Sequence, residues 1–121
     1  MISSALQIAL AHHAAWTGKD LDLAMSYLAE DVVCEAPAGR IEGVEAYRAF
    51  LAPLAEHVLI RAELIAAFGD ETTALIMYDT ETVPAASAPA AECFTVREGL
   101  IVHNRFVFDR TPFDAFARRG Q

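Results

Sequence analysis

The chain has 121 residues, which is the length of one domain, and its 17 acidic against 9 basic residues give a formal net charge of −8. This charge, with no basic stripe to offset it, disfavours binding to nucleic acid and to anionic membrane surfaces. Although 55% of the residues are hydrophobic, no stretch approaches the roughly 20 apolar residues of a membrane span and the opening residues lack the basic region of a signal peptide, so we expect a cytoplasmic single domain over residues 1–121.

Three helices are predicted in the first half of the chain, each with apolar residues at helical spacing. Their expected bounds are a serine cap at position 3 or 4 to about Trp16, Leu21 to about Leu28, and Val44 to about Ala55. Pro53 lies near the end of the third helix and is expected to kink or end it, because proline removes a backbone donor.

One short strand and four long ones are predicted. The short strand, residues 31–36, lies between the second and third helices and ends at Pro37-Ala38-Gly39. After the third helix the hydrophobic period changes to two, which predicts a meander of strands over residues 58–66, 73–83, 90–97 and 100–109. Turns are predicted at residues 69–71 and 98–99, a break at residues 84–89, and a loop for the tail, residues 112–121.

Adjacent strands with one apolar face need a cover, and the helices are the elements available to provide it. No helices separate the four late strands, which excludes a doubly wound sheet. We therefore predict an α+β domain in which a curved, mostly antiparallel sheet is closed off by three N-terminal helices. The space between these two layers is expected to form one apolar pocket for a small molecule.

Several short sequences occur in the order and at the spacing of a known superfamily. They are WTGKD at 16–20, LAEDV at 28–32, PAG at 37–39, GVEA at 43–46, FTVREGLI at 94–101 and RFVFD at 105–109. With these, residues 5–110 resemble the nuclear transport factor 2-like superfamily, in particular its SnoaL-like and ketosteroid isomerase-like branches. The resemblance implies a cone-shaped roll and a homodimer formed through the outer face of the sheet. It implies no single function, because this fold carries enzymes and non-enzymes.

The resemblance also implies which side chains line the pocket. In ketosteroid isomerases the strand before the Pro-Xaa-Gly turn carries a proton-shuttling aspartate, and Ala36 occupies that place here. The oxyanion tyrosine of the first helix corresponds to His12, and the second oxyanion acid to Glu92. We therefore do not expect ketosteroid isomerisation. The ligand-binding positions carried over are Trp16, Cys34, Phe50, Phe94, Asn104, Phe106 and Phe108.

Two acidic residues on the late strands are candidates for proton transfer. Glu92 shares its strand parity with Phe94, which predicts that it faces the pocket, where burial would raise its pKa and keep it protonated; the alternative is a solvated, outward carboxylate. Asp79 faces the pocket if Leu75 and Met77 do, and two nearby carboxyl groups would then divide the roles of acid and base. The opposite parity buries Tyr78 and leaves Asp79 in water, and the sequence does not choose between them.

His12 is the third candidate, because imidazole titrates near neutrality. His12 and His13 are adjacent on a helix, so we expect only one of them, His12, to face the pocket together with Trp16. The alternative for His12 is a half-buried histidine bonded to a neighbouring backbone group. The histidines show no ligand spacing and no phosphate loop is present, so we predict neither a metal nor a cofactor. Cys34 and Cys93 are expected to be free thiols, since two cysteines are too few for a disulfide framework.

Two hypotheses of function follow. The first is a cofactor-independent acid–base enzyme (isomerase, cyclase, dehydratase or epoxide hydrolase type) that acts on an apolar substrate bearing a carbonyl or epoxide oxygen. Its proton-transferring residues would be Glu92 with His12 or Asp79. The second is a non-catalytic ligand-binding or dimerisation module, which the absence of an acid at Ala36 favours. A pocket of roughly 300 Å³ or more, lined by these polar groups, would favour the enzyme.

Overall fold

The computed structural model describes residues 4–83 and 85–119, and within them it contains helices on one side of a single sheet. The helices are α1 (Ser4–Thr17), α2 (Leu21–Ser26), α3 (Val44–Pro53), which continues into a π-helical turn (Leu54–Val58), and α4 (Thr111–Arg119). The strands are β1 (Leu28–Ala36), β2 (Gly39–Glu42), β3 (Leu59–Gly69), β4 (Thr73–Thr82), β5 (Ala90–Arg97) and β6 (Leu100–Phe108).

The six strands form one curved sheet in the order β2-β1-β6-β5-β4-β3. The β1–β6 pair is parallel and every other pair is antiparallel. The predicted α+β architecture with a mostly antiparallel sheet is therefore confirmed, as is the meander of the last four strands. Its turns are also as predicted: the Asp70 carboxylate accepts hydrogen bonds from the backbone N–H groups of Thr72 and Thr73, and Glu98 and Gly99 both have positive φ.

The helix layer covers one face of this sheet. Helix α1 lies across β3, β4, β5 and β6, whereas α3 packs on β1 and β2, with α2 between the two helices. Buried residues of α1 recur at Ala5, Ala9, His12 and Trp16, which is the spacing of one helical face. The α3 helix ends at Pro53, as predicted, and the π-helical turn that follows leads directly into β3.

Two elements differ from the prediction. Strand β2 follows β1 after a two-residue turn and pairs with β1, so that Gly39 lies opposite Ala36 and Glu42 lies opposite Val33. The sequence had suggested only a break here. The tail is not a loop but helix α4: the Asp109 carboxylate accepts from the Thr111 backbone N–H (2.9 Å), and Pro112 sits in the first helical turn, where its missing donor is not needed. The predicted cap at Ser3, the break at Pro84 and the last two residues lie outside the described residues.

Candidate functional site

The register of the sheet brings a carboxyl group into the middle of its inner face. Glu92 on β5 lies opposite Ile76 on β4 and Phe106 on β6, both of which are buried. Antiparallel partners share a face, so Glu92 must point toward the helices. Its side chain is 1% exposed, and the inward orientation predicted from Phe94 is confirmed.

Glu92 is held by a tyrosine from the neighbouring strand. The Tyr78 hydroxyl donates to Glu92 Oε2 at 2.7 Å, and Tyr78 is itself fully buried. Burial raises the pKa of Glu92 to about 7, although the Tyr78 hydrogen bond and the amide of Asn104 act in the opposite direction. The carboxyl group therefore titrates near neutral pH and can both donate and accept a proton there.

A second polar group lies one row further along the inner face. Asn104 on β6 is opposite Phe94 and Cys34, and its Oδ1 accepts hydrogen bonds from the Tyr47 hydroxyl (2.6 Å) and the Cys34 thiol (3.4 Å). Because Oδ1 takes both donors, the amide orientation is fixed and Nδ2 carries the free hydrogens. Burial, with a smaller contribution from Glu92, raises the pKa of Cys34 to about 12, so this thiol is inert.

His12 makes one hydrogen bond that fixes its tautomer. Its Nδ1 lies 2.9 Å from the carbonyl oxygen of Ala24, which can only accept, so Nδ1 carries the hydrogen. Burial lowers the pKa of His12 to about 4, although the hydrogen bond to the Ala24 carbonyl raises it by a smaller amount. The ring is therefore neutral at pH 7. Nε2 therefore has a lone pair and no hydrogen. The ring links α1 to α2 through the Ala24 carbonyl, which agrees with the alternative prediction that His12 is bonded to a neighbouring backbone group.

The prediction that only one of the adjacent histidines faces inward is wrong. His13 is only 7% exposed, and its ring packs on the ring of Tyr78 with centroids 4.4 Å apart. The buried stripe of α1 is wide enough for both rings, because the helix has α2 on one flank and β4 on the other. Burial lowers the pKa of His13 to about 4 as well, so it too is neutral.

Five buried polar atoms in this part of the interior have no hydrogen bond of good geometry among the described residues, although the Asn104 amide lies close enough to Glu92 to lower its pKa. Buried polar atoms are normally paired, so a group of them requires an explanation, and a ligand or bound water would provide one. The five atoms lie on α1 and on the two central strands of the inner face, and they are His12 Nε2, His13 Nδ1, Trp16 Nε1, Glu92 Oε1 and Asn104 Nδ2. We call these residues, together with Tyr78, the polar cluster.

An apolar cleft of about 40 Å³ reaches the edge of the polar cluster. Its walls come from α1, the π-helical turn, the strands β3 to β6, the loop before β5, and α4, and they include Trp16, Tyr78, Phe106, Phe108 and Phe113. Half of its wall residues are part-exposed, so the cleft opens to the surface. It is smaller than the roughly 300 Å³ of a typical ligand pocket, and Glu92 lies behind Tyr78 rather than on the wall.

The predicted site residues divide into four groups. Glu92, His12 and Asn104 belong to the polar cluster and do not line the cleft. Trp16, Phe106 and Phe108 line it, whereas Cys34, Phe50 and Phe94 belong to the core or its edge and do not. Asp79 is exposed on the outer face of β4, paired with Glu63, because its neighbour Tyr78 faces inward. The interpretation that brings Asp79 opposite Glu92 is therefore wrong, and this residue is not part of the polar cluster.

Sequence reasoning missed three residues of the site. Tyr78 appeared only in one of the two parities that the sequence left open for its strand, and His13 was set aside in favour of its neighbour. Phe113 was hidden in a tail that was expected to be a loop; its ring packs on Phe108 with centroids 5.7 Å apart and closes the cleft on one side.

Two further classes of site were sought in residues 4–83 and 85–119. No three of their histidine, cysteine or acidic side chains come together as metal ligands would. None of their helices combines the length and the apolar character needed to cross a bilayer.

Comparison with known proteins gives the family and the fold. The sequence pattern of the SnoaL-like domain matches residues 9–104. A crystal structure from Kribbella flavida DSM 17836 is 53% identical over 98% of both chains, with a TM-score of 0.90. An NTF2-like protein of unknown function from Cytophaga hutchinsonii ATCC 33406 is 18% identical over 94% of this chain and 96% of that one, with a TM-score of 0.76.

One similar structure is that of an enzyme. An LEH-like epoxide hydrolase of M. tuberculosis is 21% identical over 95% of this chain and 90% of that one, with a TM-score of 0.75. At this identity the likeness concerns the fold alone. A search of curated proteins gave no match to this chain.

Proposed function

This chain belongs to the SnoaL-like domain family, and from that premise we propose that its cleft binds a small apolar molecule through a carbonyl or epoxide oxygen and donates a proton to that oxygen. The observation that carries the proposal is Tyr78, which lines the apolar cleft and also donates to the buried carboxyl group of Glu92. An apolar wall with a few convergent polar groups is the usual composition of a small-molecule site.

In this proposal Tyr78 touches the ligand and Glu92 acts through it. When Glu92 is ionised, its carboxylate accepts the Tyr78 hydroxyl hydrogen, which is then not available to a ligand. When Glu92 is protonated, its own O–H donates to the Tyr78 oxygen, and the tyrosine hydrogen is free to reach a ligand oxygen. A proton passed from Tyr78 to that oxygen is replaced from Glu92, so the pair works as a buried acid without a cofactor.

Binding of acetophenone, an apolar ketone, tests the proposal. We expect the affinity of wild type, measured by calorimetry, to be about tenfold higher at pH 6 than at pH 8, because the competent, protonated fraction of Glu92 falls by about that factor across a pKa of about 7. The Glu92→Gln variant should lose this pH dependence. Tyr78→Phe should bind about tenfold more weakly at pH 6, since it lacks the hydroxyl group.

The control is Tyr27→Phe, which removes a hydroxyl from a half-buried tyrosine at the end of α2 that does not line the cleft, and it should bind as wild type does. The chain has a single tryptophan, Trp16, so a change in its fluorescence on binding places the ligand in the cleft. Acetophenone binding that ignores pH and survives Tyr78→Phe contradicts the proposal.

Two observations favour the non-catalytic alternative. The cleft is small, at about 40 Å³, and Ala36 stands where an acidic residue would be expected in a ketosteroid isomerase. Conversion of styrene oxide to its diol separates the two. An acid–base enzyme should open this epoxide faster than buffer does, and the rate should fall in Glu92→Gln. A binding module should bind acetophenone without accelerating ring opening.

The proposal extends to a homodimer formed through the outer face of the sheet. Exposed apolar side chains are neighbours on that face. Leu75 on β4 lies opposite Phe68 on β3, and Ala91 on β5 lies between Met77 on β4 and Val107 on β6. Leu75 and Val107 are each 55% exposed and Phe68 is 73% exposed. Contiguous apolar patches of this kind are typical of protein interfaces.

The variant Met77→Glu places a charge in the middle of this patch and is expected to convert a dimer to a monomer in light scattering after gel filtration. The matched control is Leu23→Glu, which adds the same charge at an exposed leucine of α2, on the opposite side of the domain. A wild type that is monomeric at high concentration overturns the dimer. A cytoplasmic location, and no binding to nucleic acid or membranes, stay predictions from the sequence.

A further inference from the structure

Helix α1 places Trp16 on the wall of the cleft and His13 beside it, so a donor lies next to a ring that has both a donor and an acceptor. Trp16 and His13 are three residues apart on α1 and face the same way, with ring centroids 6.3 Å apart. Trp16 Nε1 is a donor only, and it is buried without a partner. His13 is neutral and therefore has one N–H and one lone pair on its ring, and its Nδ1 is also buried without a partner.

Both rings converge on Tyr78. The His13 and Trp16 ring centroids lie 4.4 Å and 6.4 Å from that of Tyr78, so the three rings pack together, two of them on the wall of the cleft. A carbonyl oxygen accepts through two lone pairs, so one such group cannot satisfy Tyr78, Trp16 and His13 together. A hydroxyl group, in contrast, both donates and accepts.

We infer that the ligand carries a hydroxyl group on the carbon next to its carbonyl, and that this hydroxyl accepts from Trp16 Nε1–H and pairs with His13 while the carbonyl oxygen lies at Tyr78. The inference rests on the proposed function and narrows its ligand to α-hydroxy ketones and related compounds. It gives a role to the two unpaired atoms that the Tyr78–Glu92 pair leaves unexplained. Leaving both unpaired in the complex would weaken binding of a plain ketone.

The test compares two probes, acetophenone and α-hydroxyacetophenone, which differ by one hydroxyl group. Calorimetry on wild type at pH 6 is expected to show about tenfold tighter binding of the hydroxy ketone, from two neutral hydrogen bonds. His13→Phe keeps an aromatic ring on Tyr78, and Trp16→Phe keeps a ring on the cleft wall. Each is expected to reduce the ratio of the two affinities toward one.

The ratio isolates the hydroxyl group, because a general loss of packing weakens both probes alike. His57→Phe, at a histidine whose side chain is 76% exposed, serves as the control and should keep the wild-type ratio. If wild type binds both probes equally, this inference is overturned and the proposed function stands. If neither probe binds, the proposed function fails as well. A preference that survives in both His13→Phe and Trp16→Phe places the hydroxyl elsewhere and overturns the inference.

Discussion

The free energy of unfolding of His13→Phe is expected to fall by about 3 kcal/mol less than that of wild type when the pH is lowered from 6.5 to 4. Burial lowers the pKa of His13 from 6.5 to about 4 in the folded chain, whereas the unfolded chain titrates at the ordinary value. Between these values the unfolded state binds more protons, so acid favours unfolding. The contribution of His13 is complete above pH 6.5 and is lost as the pH falls through about 4.

Urea denaturation at a series of pH values measures this difference. His12 has the same lowered pKa and remains in both proteins. Burial is the largest cause of that lowering and the charge of His13 is the smallest, so His12 nearly cancels in the comparison. Any offset from packing a phenyl ring against Tyr78 also cancels, because the prediction concerns the change with pH and not the absolute stability. His57→Phe removes a solvated ring and should follow the wild-type curve. Parallel curves for His13→Phe and wild type would mean that His13 is not kept neutral by burial.

The fold was predictable because its strands and turns have strong local signals. Residues 90–97 alternate regularly up to the Glu98-Gly99 turn, and both turn residues have the positive φ that such a hairpin requires. Strand β2 was missed because it has four residues, of which only Ile41 is hydrophobic, so its pattern is too short to recognise. The tail was predicted as a loop, although Pro112 is compatible with a helix because the first turn of a helix accepts proline.

The site was predicted in part, for reasons that lie in the sheet. The inward parity of β5 followed from Phe94, an aromatic residue on the same face as Glu92. Strand β4 gave no such signal, because Leu75 and Met77 are apolar and exposed while Ile76 and Tyr78 are apolar and buried. When both faces of a strand are apolar, the alternation of polar and apolar residues cannot show which face points inward. Only the pairing of Ile76 with Glu92 decides it, and that contact joins residues far apart in the sequence.

Glu92→Gln is expected to shift stability in the direction opposite to His13→Phe, again by about 3 kcal/mol. Burial raises the pKa of Glu92 from 4.5 to about 7, so between these values the folded state binds more protons than the unfolded state. The carboxyl group therefore favours folding below pH 4.5, and this contribution is lost as the pH rises through about 7. The variant has no proton to lose there, so wild type should lose about 3 kcal/mol relative to it between pH 4.5 and 7.5.

The same urea series provides the measurement, with Glu63→Gln as the control, since it removes an exposed carboxyl group from the outer face of β3. A difference that stays constant with pH would mean that Glu92 titrates in the folded chain as it does in the unfolded chain and is ionised near neutral pH. The Tyr78 hydroxyl would then be committed to the carboxylate at neutral pH, and it would have no hydrogen to offer a ligand there. The stability curves therefore test, without any ligand, the property on which proton donation by Tyr78 depends.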